Sequence, residues 1–378
     1  MNLLLLMTTG MSLQEWINLG QFSREISLYK KLTDQSVNNS LKVTIYSYGY
    51  NESHLVEDYN NINVISKTDK LLRAWYNIKS WKWKVIVDRL WNLSNLFSYK
   101  KFFKSIDVIK TNQFPGALFG VILKFFFGKK LILRMGYYYG HIVGVTWRKQ
   151  FIEKLCFSYA DKIILTNKLA IDYISARYNL LENKMVYIPN GIDIELFSPT
   201  ESKRKYDILY VGRISEIKNL ALLLKAISIN QDKGVKVLFI GSGELEEDLK
   251  NYANNNNINL SVIARVDNNE LPYYYNSSKI FVLPSKLEGN PKVLLEAMSC
   301  GAAVLGTNIS AISEVISHLK TGYICKPNEQ SMNKAITIML NDDNLRKSLG
   351  TAARERIKSN FSLDSIVDKE LEVYKSIL

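Results

Sequence analysis

The chain has 378 residues, 47% of them hydrophobic and 22% charged, enough for two ordinary domains with real cores and too apolar for long disorder. Its three cysteines, Cys156, Cys300 and Cys325, are odd in number and lack metal-ligand spacing, which argues against a disulfide framework and points to reduced thiols in a cytosolic protein. The net charge of +13 is one-sided: residues 1–190 hold 26 Lys and Arg against 13 Asp and Glu, residues 191–378 hold 23 of each, and an acidic partner is expected for the first half alone.

The apolar run Leu3–Met7 is too short for the core of a signal peptide, has no basic residue before it and no small-residue cleavage site after it. It reads as a short buried strand. Further strands are expected at Val43–Tyr48, Val108–Thr111, Lys130–Arg134, Lys162–Thr166 and Met185–Ile188. No apolar run approaches the roughly 18 residues of a membrane span. The nearest, Ala117–Phe127, is interrupted by Lys124. Turn chemistry and two prolines from Pro189-Asn190-Gly191-Ile192-Asp193 to Ser198-Pro199-Thr200 mark a domain boundary. Beyond it, strands are expected at Ile208–Val211, Val235–Ile240, Leu260–Ile263, Ile280–Leu283, Ala303–Leu305 and Gly322–Cys325, with helices at Leu220–Ile229, Leu245–Ala253 and Leu294–Cys300. The Asn-rich stretch Asn254–Asn257 reads as a loop, and the tail after Phe361 as one helix. Strands alternating with helices imply α/β domains with parallel sheets, which bind ligands beyond the carboxyl ends of their strands.

Two segments carry chemistry. Pro284-Ser285-Lys286-Leu287-Glu288-Gly289-Asn290-Pro291-Lys292 follows one strand and opens a helix that reaches Gly301. Pro291 suits the first helical position, and the free N–H groups of a helix start favour an anion such as a diphosphate. Glu288 and Glu296 flank seven residues, a spacing at which both carboxylates can face one cleft and accept from sugar hydroxyls. The second segment, Val211-Gly212-Arg213-Ile214-Ser215-Glu216-Ile217-Lys218-Asn219, also runs from a strand into a helix. Gly212 permits close backbone approach, while Arg213 offers a planar fork and Lys218 a point charge to phosphate oxygens.

These blocks resemble the retaining glycosyltransferases of family 4. Ile188-Pro189-Asn190-Gly191-Ile192-Asp193, Gly241-Ser242-Gly243 and Thr321-Gly322-Tyr323 add to the likeness. It implies the GT-B fold, two Rossmann-like domains with parallel sheets facing a central cleft. Residues 1–195 would bind the acceptor and 196–360 the nucleotide-sugar donor, with the helix 361–378 packing back on the first domain. By the same likeness Arg213 and Lys218 hold the donor diphosphate, Glu288 contacts the donor sugar and Glu296 the ribose. Gly212, Gly289, Asn290, Pro291 and Lys292 would line the donor site, and Gly10, in the partly matching loop Thr8-Thr9-Gly10-Met11-Ser12, would join it. The family transfers with retention and needs neither metal nor cofactor. His141 does not align with the histidine that many members carry in the first domain.

Rival readings fit less well. Gly241-Ser242-Gly243 lacks the third glycine of a dinucleotide fingerprint, and no Gly-Lys-Ser/Thr motif is present. A nucleic-acid-binding protein would use the basic first half but leave the Glu288–Glu296 block unexplained. Residues 70–110 combine Trp75, Trp81, Trp83, Trp91, Phe97, Phe102 and Phe103 with ten Lys and Arg against Asp88 and Asp107. That mixture suits the surface of an anionic bilayer better than nucleic acid. The expectation is a cytoplasmic enzyme held peripherally on the inner face of the membrane, working on a glycan or lipid-linked acceptor; the alternative is a basic nucleic-acid- or membrane-binding protein with a non-catalytic sugar-nucleotide domain.

Overall fold

The computed structural model describes residues 1–36, 40–68, 81–136, 146–180, 182–229 and 234–378, with the side chains of Trp81, Lys82 and Glu182 left out. It divides into two compact units, Met1–Pro189 with Val367–Leu378, and Asn190–Ile366.

The first unit is built on strands β1 (Asn2–Leu6), β2 (Lys42–Tyr50), β3 (Ile62–Lys67), β4 (Val108–Thr111), β5 (Lys130–Met135), β6 (Lys162–Leu165) and β7 (Met185–Tyr187). All pair in parallel, in the order β3-β2-β1-β4-β5-β6-β7. The central strand β1 is apolar because both of its faces are covered, and Leu3–Leu6 are buried. β3 is an element the sequence reading did not anticipate. Its Asn63, Ser66 and Lys67 dilute the apolar signal, yet Lys67 is buried, with its ammonium 2.5 Å from Asp88 and 2.9 Å from the Tyr48 carbonyl oxygen.

The end of the helix Leu363–Ile377 is tied to this sheet by a second buried pair. Lys110 of β4 meets Glu370, which also accepts from the Tyr374 hydroxyl, and the Lys110 ammonium stands 5.1 Å from the Tyr29 ring centroid. Burial brings Lys110 down to about 8. Burial alone would raise Glu370, but Lys110, Arg134 and two hydrogen bonds outweigh it and hold the carboxyl below its usual range.

The helix Trp81–Ser98 splits the aromatic set expected at a membrane. Trp91 turns inward, 4.6 Å from the Tyr46 ring, and Phe103 is buried as well. Trp83, Ile86, Leu90, Leu93 and Phe97, at spacings of three and four, form an outer stripe 44–83% exposed. Trp75, with Lys70, Arg73 and Lys79, lies outside the described residues.

The second unit repeats the plan with β8 (Tyr206–Val211), β9 (Lys236–Ile240), β10 (Asn259–Ile263), β11 (Ser278–Leu283), β12 (Ala303–Thr307) and β13 (Tyr323–Cys325). These are parallel in the order β10-β9-β8-β11-β12-β13. The apolar faces of the strands and of the helices Leu220–Ser228 and Lys292–Ser299 form one core. Among the described residues no helix is long and apolar enough to cross a membrane.

Candidate active site

Three loops meet where β8, β9 and β11 end. Gly212 continues β8 with φ +146°, a conformation that favours glycine. Its N–H donates to the Ile240 carbonyl at 2.9 Å, and the Ile214 N–H donates to Ser242 O at 2.9 Å. A Cβ on Gly241 would lie 1.9 Å from Gly212 O, and one on Gly243 equally close to Ile214 O. Gly241-Ser242-Gly243 is thus accounted for by contact between two backbones. The β11 loop joins through Lys286 N–H, which donates to Ile217 O at 2.8 Å.

These contacts place the charged groups. Lys218 closes a short turn, Glu216–Lys218, and its ammonium is 2.5 Å from Glu288 Oε1. The Ser285 hydroxyl donates to the same oxygen at 2.7 Å, and the Thr307 hydroxyl fixes the Ser285 carbonyl at 2.6 Å. Glu288 Oε2 takes no hydrogen bond from the described residues. Arg213 stands beside this cluster in sequence but is loosely held: its side chain is 73% exposed and 3.3 Å from Glu244. Its carbonyl accepts from the Tyr210 hydroxyl at 2.7 Å. Tyr210 is raised well above its usual range, by burial first and by Glu288 second.

Glu296 does not share an open face with Glu288. It is 0% exposed and accepts from the buried Tyr275 hydroxyl at 2.9 Å. Leu294, Leu295, Ala297 and Met298 around it are buried too, so the whole middle of this short helix faces the core. Pro291 is the cap rather than the first helical residue: its ψ of 102° is extended, and the helix starts at Lys292. Asn290 is turned toward the interdomain segment. Its Oδ1 accepts from Asn190 N–H at 2.9 Å and its carbonyl from the Asn190 side chain at 2.8 Å. Gly289 is buried in the same loop, and Lys292, the first helical residue, is half-buried.

Gly10 belongs to the first unit. Its φ of +85° lets its N–H donate to Asp88, the partner of Lys67. His54 contacts the Asn51 carbonyl and His318 Nδ1 accepts from Ile324 N–H, both local structural bonds, while His141 lies outside the described residues. Sequence reasoning missed Ser285, Thr307 and Tyr275 as partners. Only Ser285, three residues before Glu288, gave a signal that could have found it.

Residues 192–356 match the family model of the glycosyl transferases group 1. An uncharacterized glycosyltransferase of Haemophilus influenzae is 33% identical over 175 residues, 45% of this chain and 48% of that protein. A UDP-Gal:alpha-D-GlcNAc-diphosphoundecaprenol alpha-1,3-galactosyltransferase of Escherichia coli is 27% identical over 58% of this chain and 59% of its own length. The chain therefore spans about half to three fifths of these two relatives. Among solved structures, sucrose-phosphate synthase from Thermosynechococcus elongatus superposes with a TM-score of 0.82 at 16% identity, over 100% of this chain and 99% of that one, a likeness of fold. The group 1 family match covers almost the whole second unit, and the two Rossmann-like parallel-sheet units share the fold of the GT-B neighbours.

Proposed function

We propose that the chain is a retaining glycosyltransferase that moves a sugar from a nucleotide-diphosphate sugar to a glycan or lipid-linked acceptor in bacterial surface polysaccharide or glycolipid synthesis. The observation that carries this reading is the Lys218–Glu288–Ser285 cluster at the carboxyl ends of the second sheet, with Arg213 beside it. Glu288 Oε2 can accept from a hydroxyl of the donor sugar while Oε1 stays anchored. Arg213 can leave its weak contact with Glu244 at little cost and fork onto phosphate oxygens. As the diphosphate departs, negative charge grows where Lys218 and Arg213 can meet it. The acceptor would attack from the face the diphosphate leaves, with a phosphate oxygen taking its proton. The two cations supply the neutralisation for which other transferases recruit a metal, so turnover should survive EDTA.

The Escherichia coli relative's name specifies a UDP-sugar and a diphosphoundecaprenol acceptor, which supports the donor and acceptor classes proposed here. A lipid-linked acceptor also gives a use to the exposed stripe on Trp81–Ser98. The helices Lys100–Ser105, Ala117–Phe127 and Trp147–Tyr159 contact one another in succession beside it. They add the exposed Phe125, Phe126, Trp147 and Phe151, with Lys100, Lys101 and Lys104 among them. Each cation near an anionic bilayer contributes about 1 kcal/mol, and the aromatic side chains bury apolar area in it. This layer would dock on the inner face of the membrane, where the acceptor resides.

The test is mass spectrometry of products from a panel of sugar nucleotides with a lipid-linked acceptor, with and without EDTA, and anomeric assignment by NMR. A product of inverted configuration would exclude retention, and activity restored only by Mg²⁺ or Mn²⁺ would exclude metal independence. Sugar-nucleotide binding without turnover across the panel would favour a non-catalytic sugar-binding protein.

A further inference from the structure

A groove of about 860 Å³ crosses the amino edge of the second sheet. It lies where β8, β11 and β12 begin and along the helix Asp343–Asn360, at the other edge of the sheet from Gly212 and Glu288. Six cations line it, Arg204, Lys279, Arg346, Lys347, Arg354 and Lys358, and only two carboxylates, Asp343 and Glu355. Residues 191–378 carry 23 charges of each sign, so the groove concentrates positive charge that composition alone would not put there.

The arginines have one role already. Helices of a parallel α/β unit run against the strands, so their carboxyl ends gather at this edge. Arg204 donates to the carbonyls of Asn276 and Ser278 at 2.8 and 2.6 Å. Arg354 donates to those of Phe197 and Ser299, both at 2.8 Å. Arg346 reaches the Leu340 carbonyl at 2.7 Å and also forms an ion pair with the exposed Asp343. For Arg204 and Arg354 such bonds fix the guanidinium planes but leave the charge largely in place, because a helix end supplies only about half a negative charge. Lys279 is paired with Asp207 at 2.8 Å and Lys358 with Glu355 at 3.0 Å. Arg204 has no carboxylate partner in an ion pair among the described residues, and burial and then the neighbouring Arg346 charge lower its proton affinity. Lys347 is exposed and has no acidic partner among the described residues.

We propose that this groove is a second anion site of the chain, one that takes a phosphate group. Guanidinium forks already held in place lose little freedom on meeting phosphate oxygens, and the volume lies within the roughly 300–1,000 Å³ of small-ligand pockets. The phosphate can belong to a soluble phosphorylated metabolite or to a lipid headgroup, and the two sources are separable by experiment.

The test uses the full chain carrying Arg213→Ala and Lys218→Ala, so that the loops assigned to the donor no longer compete for phosphate. Inorganic pyrophosphate is titrated by calorimetry before and after Lys347→Glu and Lys358→Glu are added. Both lysines are exposed, and unchanged circular dichroism melts would confirm that the reversals leave the fold intact. The expected result is binding weakened about tenfold or more by the reversals, a change of about 1.4 kcal/mol. In a second arm the same pair of proteins is floated with phosphatidylglycerol vesicles. A drop in flotation without a change in pyrophosphate binding assigns the site to lipid phosphate. Unchanged behaviour in both arms overturns the proposal. Because the donor loops are disabled throughout, the outcome does not depend on whether sugar transfer is ever detected.

Discussion

The two units share a parallel-sheet plan, yet the loops beyond their strands differ in sign. In the first unit, Glu52 accepts from the N–H groups of Leu13 and Gln14, at 3.2 and 2.8 Å, and from the Ser47 hydroxyl, so a carboxylate already occupies the start of the helix Leu13–Asn18. A Cβ on Gly49 would lie 2.1 Å from that carboxylate, which explains the glycine. Asp88 takes the Gly10 N–H nearby, and Lys67 is its buried partner. In the second unit the comparable loops present Arg213 and Lys218, and the helix Lys292–Ser299 starts without a side-chain cap. One architecture has thus been filled in one unit with anions of its own and left in the other with cations that can meet an incoming anion. The difference lies in a handful of loop residues, because sheet and helices only fix where those loops stand.

The largest expected effect tests the first unit. Glu370→Ala would leave Lys110 buried without its partner, at a cost of about 3–5 kcal/mol, while Glu370→Leu with Lys110→Met should regain much of it. All six Trp precede residue 150, so urea unfolding followed by Trp fluorescence reports the first unit alone. A loss below about 1 kcal/mol would mean that the pair does not fasten the terminal helix.

Next come the cations of the second unit. Lys218→Ala should lower turnover by about 10²–10³, and Glu288→Gln should lower turnover while the fold survives. Arg213→Ala should cost less than Lys218→Ala, because Arg213 is poorly anchored before a donor arrives. Ser285→Ala should act through Glu288, raising KM for the donor more than it lowers kcat. Near-native turnover in the Lys218, Arg213 and Glu288 variants would remove the assignment.

The glycine contacts sharpen the comparison further. Gly241→Ala drives a Cβ into Gly212 O and should destabilise the second unit by about 1–3 kcal/mol, read by hydrogen exchange of β8 and β9. Gly128→Ala in the first unit has a similarly positive φ of +66° but open space, and should cost only about 1 kcal/mol.

The two buried pairs of the first unit should respond to acid with opposite sign. Glu370 is held below its usual carboxylate range, so the stability it contributes is present above the unfolded value and is lost as pH falls through the folded one. Burial raises Asp88 despite Lys67, so its contribution is present below the unfolded value and is lost as pH rises through the folded one. Glu370→Gln should therefore flatten the acid limb of a stability profile, and Asp88→Asn should steepen it. Equal slopes in both variants would remove the contrast. The smallest effect on stability is expected from Leu90→Ser and Phe97→Ser, within about 0.5 kcal/mol, because both side chains already face solvent. The same variants should weaken flotation on phosphatidylglycerol vesicles, most clearly at high salt, where charges contribute least.

Much of the plan was legible in the sequence. Apolar runs such as Leu3–Leu6 and Ile280–Leu283 announce buried parallel strands, because a strand covered on both faces cannot alternate. The placement of Gly212, Arg213, Lys218 and Glu288 in loops just beyond strands was legible because each follows an apolar run that ends at a turn. What the sequence left open depends on which groups meet across long separations. The strand β3 was hidden because its lysine looks solvated until Asp88, 21 residues on, is seen to neutralise it. Pairing of Glu288 with Lys218 across 70 residues, and enclosure of Glu296 by Tyr275, follow from how separate strands and helices stack, which no local spacing encodes. Sequence alone thus determined the strand–helix alternation, the basic first half and the types of residue at the loops, since these rest on local periodicity and composition. Only the tertiary structure decided which charges are buried, which are paired and which remain for a ligand, because desolvation and Coulomb attraction depend on distances that the folded chain sets.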